Sequence, residues 1–268
     1  MASVSSHGRV PLIAGNWKMN LDHLQSIAFV QKLAWSLKDA RHDFGVAGAE
    51  VAVFPPFTDL RSVQTLISAD KLDLEFGGQD LSEHDAGAFT GEISGAFLKA
   101  LDCKYVIVGH SERRTMHNET DEQLGRKVAA AIRHGVVPIL CVGETAEDLE
   151  KHGPSAVPVA QLRAALAGII GAPDLVIAYE PVWAIGSGLA ATPEQAEQVA
   201  TRLRETLGEL YGAATADATR ILYGGSVKSG NIASLMREAN VDGALVGGAS
   251  LDVTEFASIA RFQKHVGT

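Results

Sequence analysis

LVIAYEPVWAIGSGLAATPEQAEQVATRLRETLGEL, residues 175–210, contains one complete structural unit. It opens on Leu175–Tyr179, an almost continuous apolar run ending at Glu180. Runs of this length and kind are the mark of parallel strands buried on both faces. A helix start follows at Thr192-Pro193-Glu194-Gln195. Thr192 is placed to cap it, Pro193 fits the first turn where its missing N–H costs nothing, and Gln195 completes a capping box. Ala196, Val199, Ala200, Leu203, Leu207 and Leu210 then recur at helical spacing and predict one core-facing stripe.

The same strand-then-helix pattern fills the chain. Further apolar runs begin at Val10 (VPLIAG), Val51 (VAVF), Leu72 (LDLEFG), Tyr105 (YVIVG), Val136 (VVPILCVG), Arg220 (RILYGG) and Gly243 (GALVGG). LDLEFG alternates and is the weakest strand of the eight. Between runs the periodicity turns helical: from Leu24, the residues Ile27, Val30, Leu33, Ala34 and Leu37 share a face. No linker or low-complexity tract divides the chain. Strand–helix alternation calls for a parallel sheet. Eight units in 268 residues match the count and size of a closed (β/α)8 barrel. An open doubly wound sheet is the alternative, and counting favours the barrel. Residues 1–9 are expected to form a flexible N-terminal tail and residues 10–268 a single barrel domain.

Composition narrows the class. Apolar residues make up 46% and charged residues 21%, ordinary for a globular protein and unlike disordered, collagenous or disulfide-stapled chains. The formal charge of −9 offers no counterion-release affinity for nucleic acid and no general attraction to anionic membranes. No apolar run approaches the roughly 18 residues of a membrane span. MASVSSHGR lacks the charged-then-apolar order of a secretory signal. Cys103 and Cys141 have no CxxC spacing; buried thiols in a reducing cytoplasm are the expectation. The 27 glycines cluster, as where backbone approaches a ligand.

In a (β/α)8 barrel, function gathers where the strands end. The first run ends in Asn16-Trp17-Lys18, the fourth in His110-Ser111-Glu112, the fifth in Gly143-Glu144 and the sixth in Glu180-Pro181-Val182-Trp183. Taken singly, Lys18 could be a solvated charge, His110 a structural histidine and Glu180 a salt-bridged strand end. Together they bring a cation, an imidazole and a carboxylate to one mouth. His110 begins a helix, whose N–H groups disfavour the imidazolium and so favour a neutral hydrogen-bond donor. Glu180 closes an apolar run, and burial there suits a carboxylate to proton abstraction. Gly224-Gly225 and Gly247-Gly248 follow the last two strands, where barrels build a phosphate site from loops and a helix N-terminus. Ordinary tight turns are the other reading of both pairs. Gly186-Ser187-Gly188-Leu189-Ala190-Ala191 matches a dinucleotide fingerprint, but Pro181–Ile185 separate it from the strand and the helix starts only at Thr192. A mobile lid is the better reading. His110-Ser111-Glu112 lacks the partner cysteines of a zinc site.

Read in order, AGNWKMN (14–20), GQDLSEHDAGAFTGEIS (78–94), VGHSERR (108–114), CVGE (141–144), AYEPVWAIGSG (178–188), YGGSV (223–227) and GGAS (247–250) resemble the triosephosphate isomerase family along nearly the whole chain. The resemblance implies a TIM barrel that interconverts dihydroxyacetone phosphate and D-glyceraldehyde 3-phosphate in glycolysis and gluconeogenesis. It also implies a homodimer with no cofactor and no metal. By position it makes Glu180 the base, His110 and Asn16 donors to the substrate oxygens, and Lys18 a positive charge near enediolate and phosphate. Glu112 would pair with Lys18, and Ser111 with Glu180 while the lid is open. Gly186, Ser226, Gly247 and Gly248 match phosphate-binding positions. Tyr223 and Ser226 match groups that latch the lid near Ala191 and Gly188, and Cys141, Glu144 and Trp183 are supporting positions of the same motifs. Thr90 matches the tip of a loop that enters the neighbouring subunit. GSGLAA departs from the common GTGK-type lid at Leu189 and Ala190, and Arg41–Glu50 is longer than the usual connection, with no role assigned. Two alternatives remain here: another phosphate-binding barrel isomerase, and a barrel used only for binding.

Overall fold

The computed structural model describes residues 8–45, 47–171, 173–185 and 190–265. The lid positions Gly186, Gly188 and Leu189 lie outside the described residues. Eight parallel strands close a barrel in sequence order: β1 Leu12–Asn16, β2 Glu50–Phe54, β3 Glu75–Gly78, β4 Tyr105–Val108, β5 Val137–Val142, β6 Val176–Tyr179, β7 Arg220–Tyr223 and β8 Gly243–Val246. β8 closes on β1 with Leu12 opposite Gly243 and Gly15 opposite Val246. The doubly wound alternative is thereby excluded. LDLEFG contributes a strand only from Glu75, as its alternation suggests.

The period of two along each strand makes two cores from one sheet. Leu12, Ala14, Phe54, Ile107, Ile139 and Leu222 fill the barrel interior with their neighbours. Their sequence neighbours Ile13, Val53, Val106, Leu140, Ile177 and Ile221 face outward into the larger core under the helices. The helix Pro193–Tyr211 starts on Thr192 with the full capping box to Gln195. Ala196, Val199, Ala200, Leu203 and Leu207 are buried under it. Leu210 departs from the predicted stripe: in the last turn, where the helix packs on one side only, it is 36% exposed. The helix His23–Asp39 buries Val30, Leu33 and Leu37, with Ser26 and Phe29 completing its inner face.

Arg9, assigned above to the tail, is instead buried. Its guanidinium donates to Asp242 Oδ1 at 2.6 Å and to the carbonyl oxygens of Asp217 and Ala239. Arg204 donates to the other Asp242 oxygen at 2.7 Å. A charge cannot leave water without such partners, so Arg9 is fixed to the start of β8 rather than free.

The lower end of the barrel is closed by a polar plug from three strands. Tyr105 Oη donates to Glu50 Oε1 at 2.6 Å and accepts from Arg220 Nη2 at 2.7 Å. Arg220 Nη1 reaches Glu50 Oε2 at 3.0 Å. Burial pushes the Glu50 carboxyl up, but the Lys104 and Tyr105 hydrogen bonds and the Arg220 charge outweigh it and hold it below the usual range. Glu50 thus binds fewer protons folded than unfolded. Its contribution to stability is present above the unfolded value, roughly 4.3, and is lost as pH falls through the lower folded value. Tyr105→Phe removes one donor and one acceptor from this plug. The expected loss is about 1–3 kcal/mol in denaturant unfolding at fixed protein concentration, with an unchanged circular dichroism spectrum. An unaltered midpoint contradicts the plug's role.

Candidate active site

The strand ends on the upper face surround a cavity of about 510 Å³, within the range of small-ligand sites. Asn16, Lys18, His110, Glu112 and Glu180 line it together with Ser226, Gly247 and Gly248. The polar set predicted from strand ends is therefore brought to one mouth.

β1 delivers Asn16 and Lys18. Asn16 is buried, and its Oδ1 accepts the Lys18 N–H at 3.1 Å. Lys18 sits in the left-handed region at φ +54°, a cost of roughly 1–2 kcal/mol for a residue with a side chain. Gln79 opposes that cost. Its Nε2 donates to the Lys18 carbonyl at 2.7 Å and to the Phe54 carbonyl at 2.8 Å, tying the ends of β1 and β2 to the residue after β3. Gln79 lies in the quoted GQDLS motif, but sequence reasoning gave it no role. Lys18 Nζ pairs with Glu112 Oε1 at 2.6 Å.

β4 delivers the histidine. His110 caps the helix Ser111–Met116, and its Nδ1 accepts the Glu112 backbone N–H at 3.2 Å. Glu112 Oε2 lies farther from Nδ1, at 3.7 Å, and the other oxygen of that carboxylate is engaged by Lys18. A ring nitrogen that accepts carries no proton, so the proton of the neutral ring is on Nε2. That Nε2 lies 3.1 Å from Glu180 Oε1. Glu180 is 2% exposed, and its Oε2 accepts the Ser111 backbone N–H at 2.9 Å. Ser111 therefore meets Glu180 through its main chain.

The supporting positions form the floor and the loop anchor. Cys141 is fully buried, and burial, then the Glu180 charge, pushes its thiol far up; it stays protonated. Burial likewise pushes the Cys103 thiol up to about 12. Glu144 Oε1 accepts from Trp183 Nε1 at 2.8 Å and from Tyr179 Oη at 2.9 Å. Its Oε2 is buried with no partner among the described residues, and burial, against both hydrogen bonds, raises its carboxyl above the usual range. Tyr223 Oη accepts the Ala191 N–H at 3.0 Å, the contact that bounds the lid segment on its far side.

The glycine pairs differ in their reasons. A Cβ on Gly224 would meet Glu180 Cγ at 2.8 Å, and one on Gly225 would meet Tyr223 Oη at 2.2 Å. These two make room for the Glu180 and Tyr223 side chains. Among the described residues, a Cβ on Gly248 would meet nothing within 4 Å and one on Gly247 only Lys18 Cε at 3.6 Å, so this wall leaves room for a ligand. Lys228 also lines the cavity and was not singled out from the sequence, because its run gives no strand-end signal. Thr90 lies away from the cavity, in an exposed stretch whose base is held by Arg133 and His134 on Asp85. In the same loop the His84 and Phe89 rings stack at 3.9 Å.

The comparisons with known proteins bear on this site as a whole. The family model described as triosephosphate isomerase matches residues 11–263. The chain is 76% identical over 258 residues to the triosephosphate isomerase of Leifsonia xyli subsp. xyli, covering 96% of this chain and 99% of the relative. It is 54% identical to that of Streptomyces avermitilis, covering 95% and 98%. It is 53% identical to that of Mycobacterium tuberculosis, covering 94% and 96%. With a family match over nearly the whole barrel, the chain belongs to the triosephosphate isomerase family.

Proposed function

We propose that this chain interconverts dihydroxyacetone phosphate and D-glyceraldehyde 3-phosphate by proton transfer through an enediolate. One observation carries the assignment of roles: a buried carboxylate, Glu180, faces His110 Nε2 across 3.1 Å, with Lys18 in the same cavity. Glu180 removes the proton from C1 of the ketose. The C–H electron pair becomes the C1–C2 double bond, and the carbonyl π pair moves onto the C2 oxygen. His110 Nε2–H and the Asn16 amide donate to the substrate oxygens, and the Lys18 ammonium stabilises the charge that develops. Glu180 then returns the proton to C2, while the hydroxyl proton passes from O1 to O2. Electrons and protons are redistributed within one molecule, so no redox partner enters the scheme.

A base of this kind contributes about 10²–10⁴-fold. A preorganised donor facing a developing oxyanion is worth about 10²–10³-fold. In the conformation described, Glu180 is held by Ser111 and His110, so it must release the Ser111 N–H to reach carbon. Ser226, Gly247, Gly248 and the lid position Gly186 are assigned to the phosphate. Glu112 holds Lys18 when substrate is absent. Cys141, Glu144, Trp183 and Tyr223 position the base and the lid.

A homodimer in the cytoplasm, acting in glycolysis and gluconeogenesis, completes the proposal. Residues 10–268 form its one domain, and Arg9 packs with it. Met19, beside the catalytic lysine, is 95% exposed, and Phe89, next to Thr90, is 41% exposed. An interface formed by the Thr90 loop covers both.

Glu180→Asp withdraws the carboxylate by one methylene. Misplacement by about 1 Å costs on the order of 10²-fold. A coupled assay with glyceraldehyde 3-phosphate is expected to show that loss in kcat with KM nearly unchanged; full turnover removes Glu180 from its role. Phe89→Asp is expected to yield monomers by analytical ultracentrifugation, with most turnover lost. A stable, active dimer from that variant contradicts the interface.

A further inference from the structure

A second cavity, of about 440 Å³, lies at the end of the barrel opposite the active-site mouth. It sits between the helix His23–Asp39 and the turn after the helix Leu60–Asp70, where the chain leads into β2 and β3. Part of its wall is the long Arg41–Glu50 connection, which the isomerase chemistry leaves without a role.

That wall is built before any ligand arrives. Ala49 N–H donates to the Asp43 carbonyl at 2.9 Å and Gly48 N–H to the Gly45 carbonyl at 3.0 Å. His42 Nε2 bonds the Ala49 carbonyl at 2.7 Å, and Gln263 Nε2 donates to the Gly48 carbonyl at 2.6 Å. The T-shaped contact of the His42 and Phe44 rings adds an apolar side.

Three cations line the cavity: Lys38, Arg41 and Lys71. None of the three has an ion pair among the described residues. Arg41 and Lys71 both adopt left-handed backbone, at φ +51° and +50°. Lys71 directly follows its helix and Arg41 stands two residues beyond its own, positions where glycine or asparagine takes that conformation at less cost. Lys18 at the catalytic mouth has the same combination of strain and charge. Strained backbone concentrates where a side chain is held for a ligand. Burial pushes the His42 imidazole down, so it is neutral at pH 7 and the attraction rests on the three cations.

Trp35 borders the same cavity and is 61% exposed. A lone exposed aromatic means little. Beside unpaired cations it supplies a stacking face, and planar rings stack on tryptophan without sequence selection. Asp70 and Asp73 also line the cleft and leave it one net positive charge on a protein of −9. As acceptors they suit amino and hydroxyl donors. Inorganic phosphate would leave Trp35 and Phe44 unused, and an uncharged ring would leave the cations unpaired.

We propose that this cleft is a nucleotide site: the base stacks on Trp35, and the phosphates lie on Lys38, Arg41 and Lys71. The test is titration of the full-length protein with ATP, adenosine and tripolyphosphate, by calorimetry and by ¹⁵N NMR of the tryptophan indoles. ATP is expected to bind saturably and to shift the Trp35 signal, with Trp17 and Trp183 as internal references. Adenosine and tripolyphosphate should each bind at least tenfold more weakly. Trp35→Ala, and separately the triple variant Lys38→Gln, Arg41→Gln, Lys71→Gln, should each weaken ATP at least tenfold. Both variants should keep isomerase turnover, which separates this site from the catalytic one. ATP shifts confined to the mouth around Lys18 and Ser226 overturn the proposal. So do unchanged affinity in both variants, and tripolyphosphate binding as tightly as ATP.

Discussion

Two successive backbone N–H groups hold the chemistry of this protein in place. The Ser111 N–H engages Glu180 Oε2 and the next one, of Glu112, engages His110 Nδ1. These are orphan donors of a helix start, with no carbonyl inside the helix to receive them. The Glu180 carboxylate and the His110 imidazole are thereby oriented by one turn. The turn sits where it does because β4 ends two residues before it and β3 and β5 flank that strand in register. Barrel closure is thus a condition of the site, since β1 carries Lys18 to the far side of the same mouth only when β8 returns to it.

The acidic net charge poses a separate constraint. A phosphate substrate must approach a protein that repels it overall. The mouth answers locally, with Lys18 and Lys228 at the cavity and a glycine wall free of side chains. Lys18 is only partly neutralised, since its pairing with Glu112 is a half-exposed contact that water screens. Exchange of that carboxylate for a substrate oxygen therefore costs little. Deeper in, Glu144 shows the opposite case: a buried carboxyl with one oxygen unpartnered among the described residues and the other accepting from the Tyr179 hydroxyl and the Trp183 indole.

The fold was legible because its rules are local. Apolar runs of the right length locate all eight strands, and the capping box at Thr192 locates a helix start to the residue. The polar residues that line the upper cavity were legible because strand ends are where a barrel gathers side chains. What escaped are residues whose partners are distant in sequence. Arg9 looks like a basic tail residue until Asp242, 233 positions later, buries it. Gln79 has meaning only when the carbonyls of Lys18 and Phe54 come together at its amide. Leu210 fits the helical stripe but lies in the last turn, with little to pack against. The period of a pattern predicts a face; it does not predict where the neighbouring element stops.

The Glu112 N–H occupies His110 Nδ1 and so leaves the proton of the neutral ring on Nε2. Side-chain ¹⁵N NMR of His110 in the unliganded protein at pH 7 tests this directly. A bare Nδ1 and a protonated Nε2 are expected. A proton found on Nδ1, whether as the other tautomer or as the imidazolium, would contradict this.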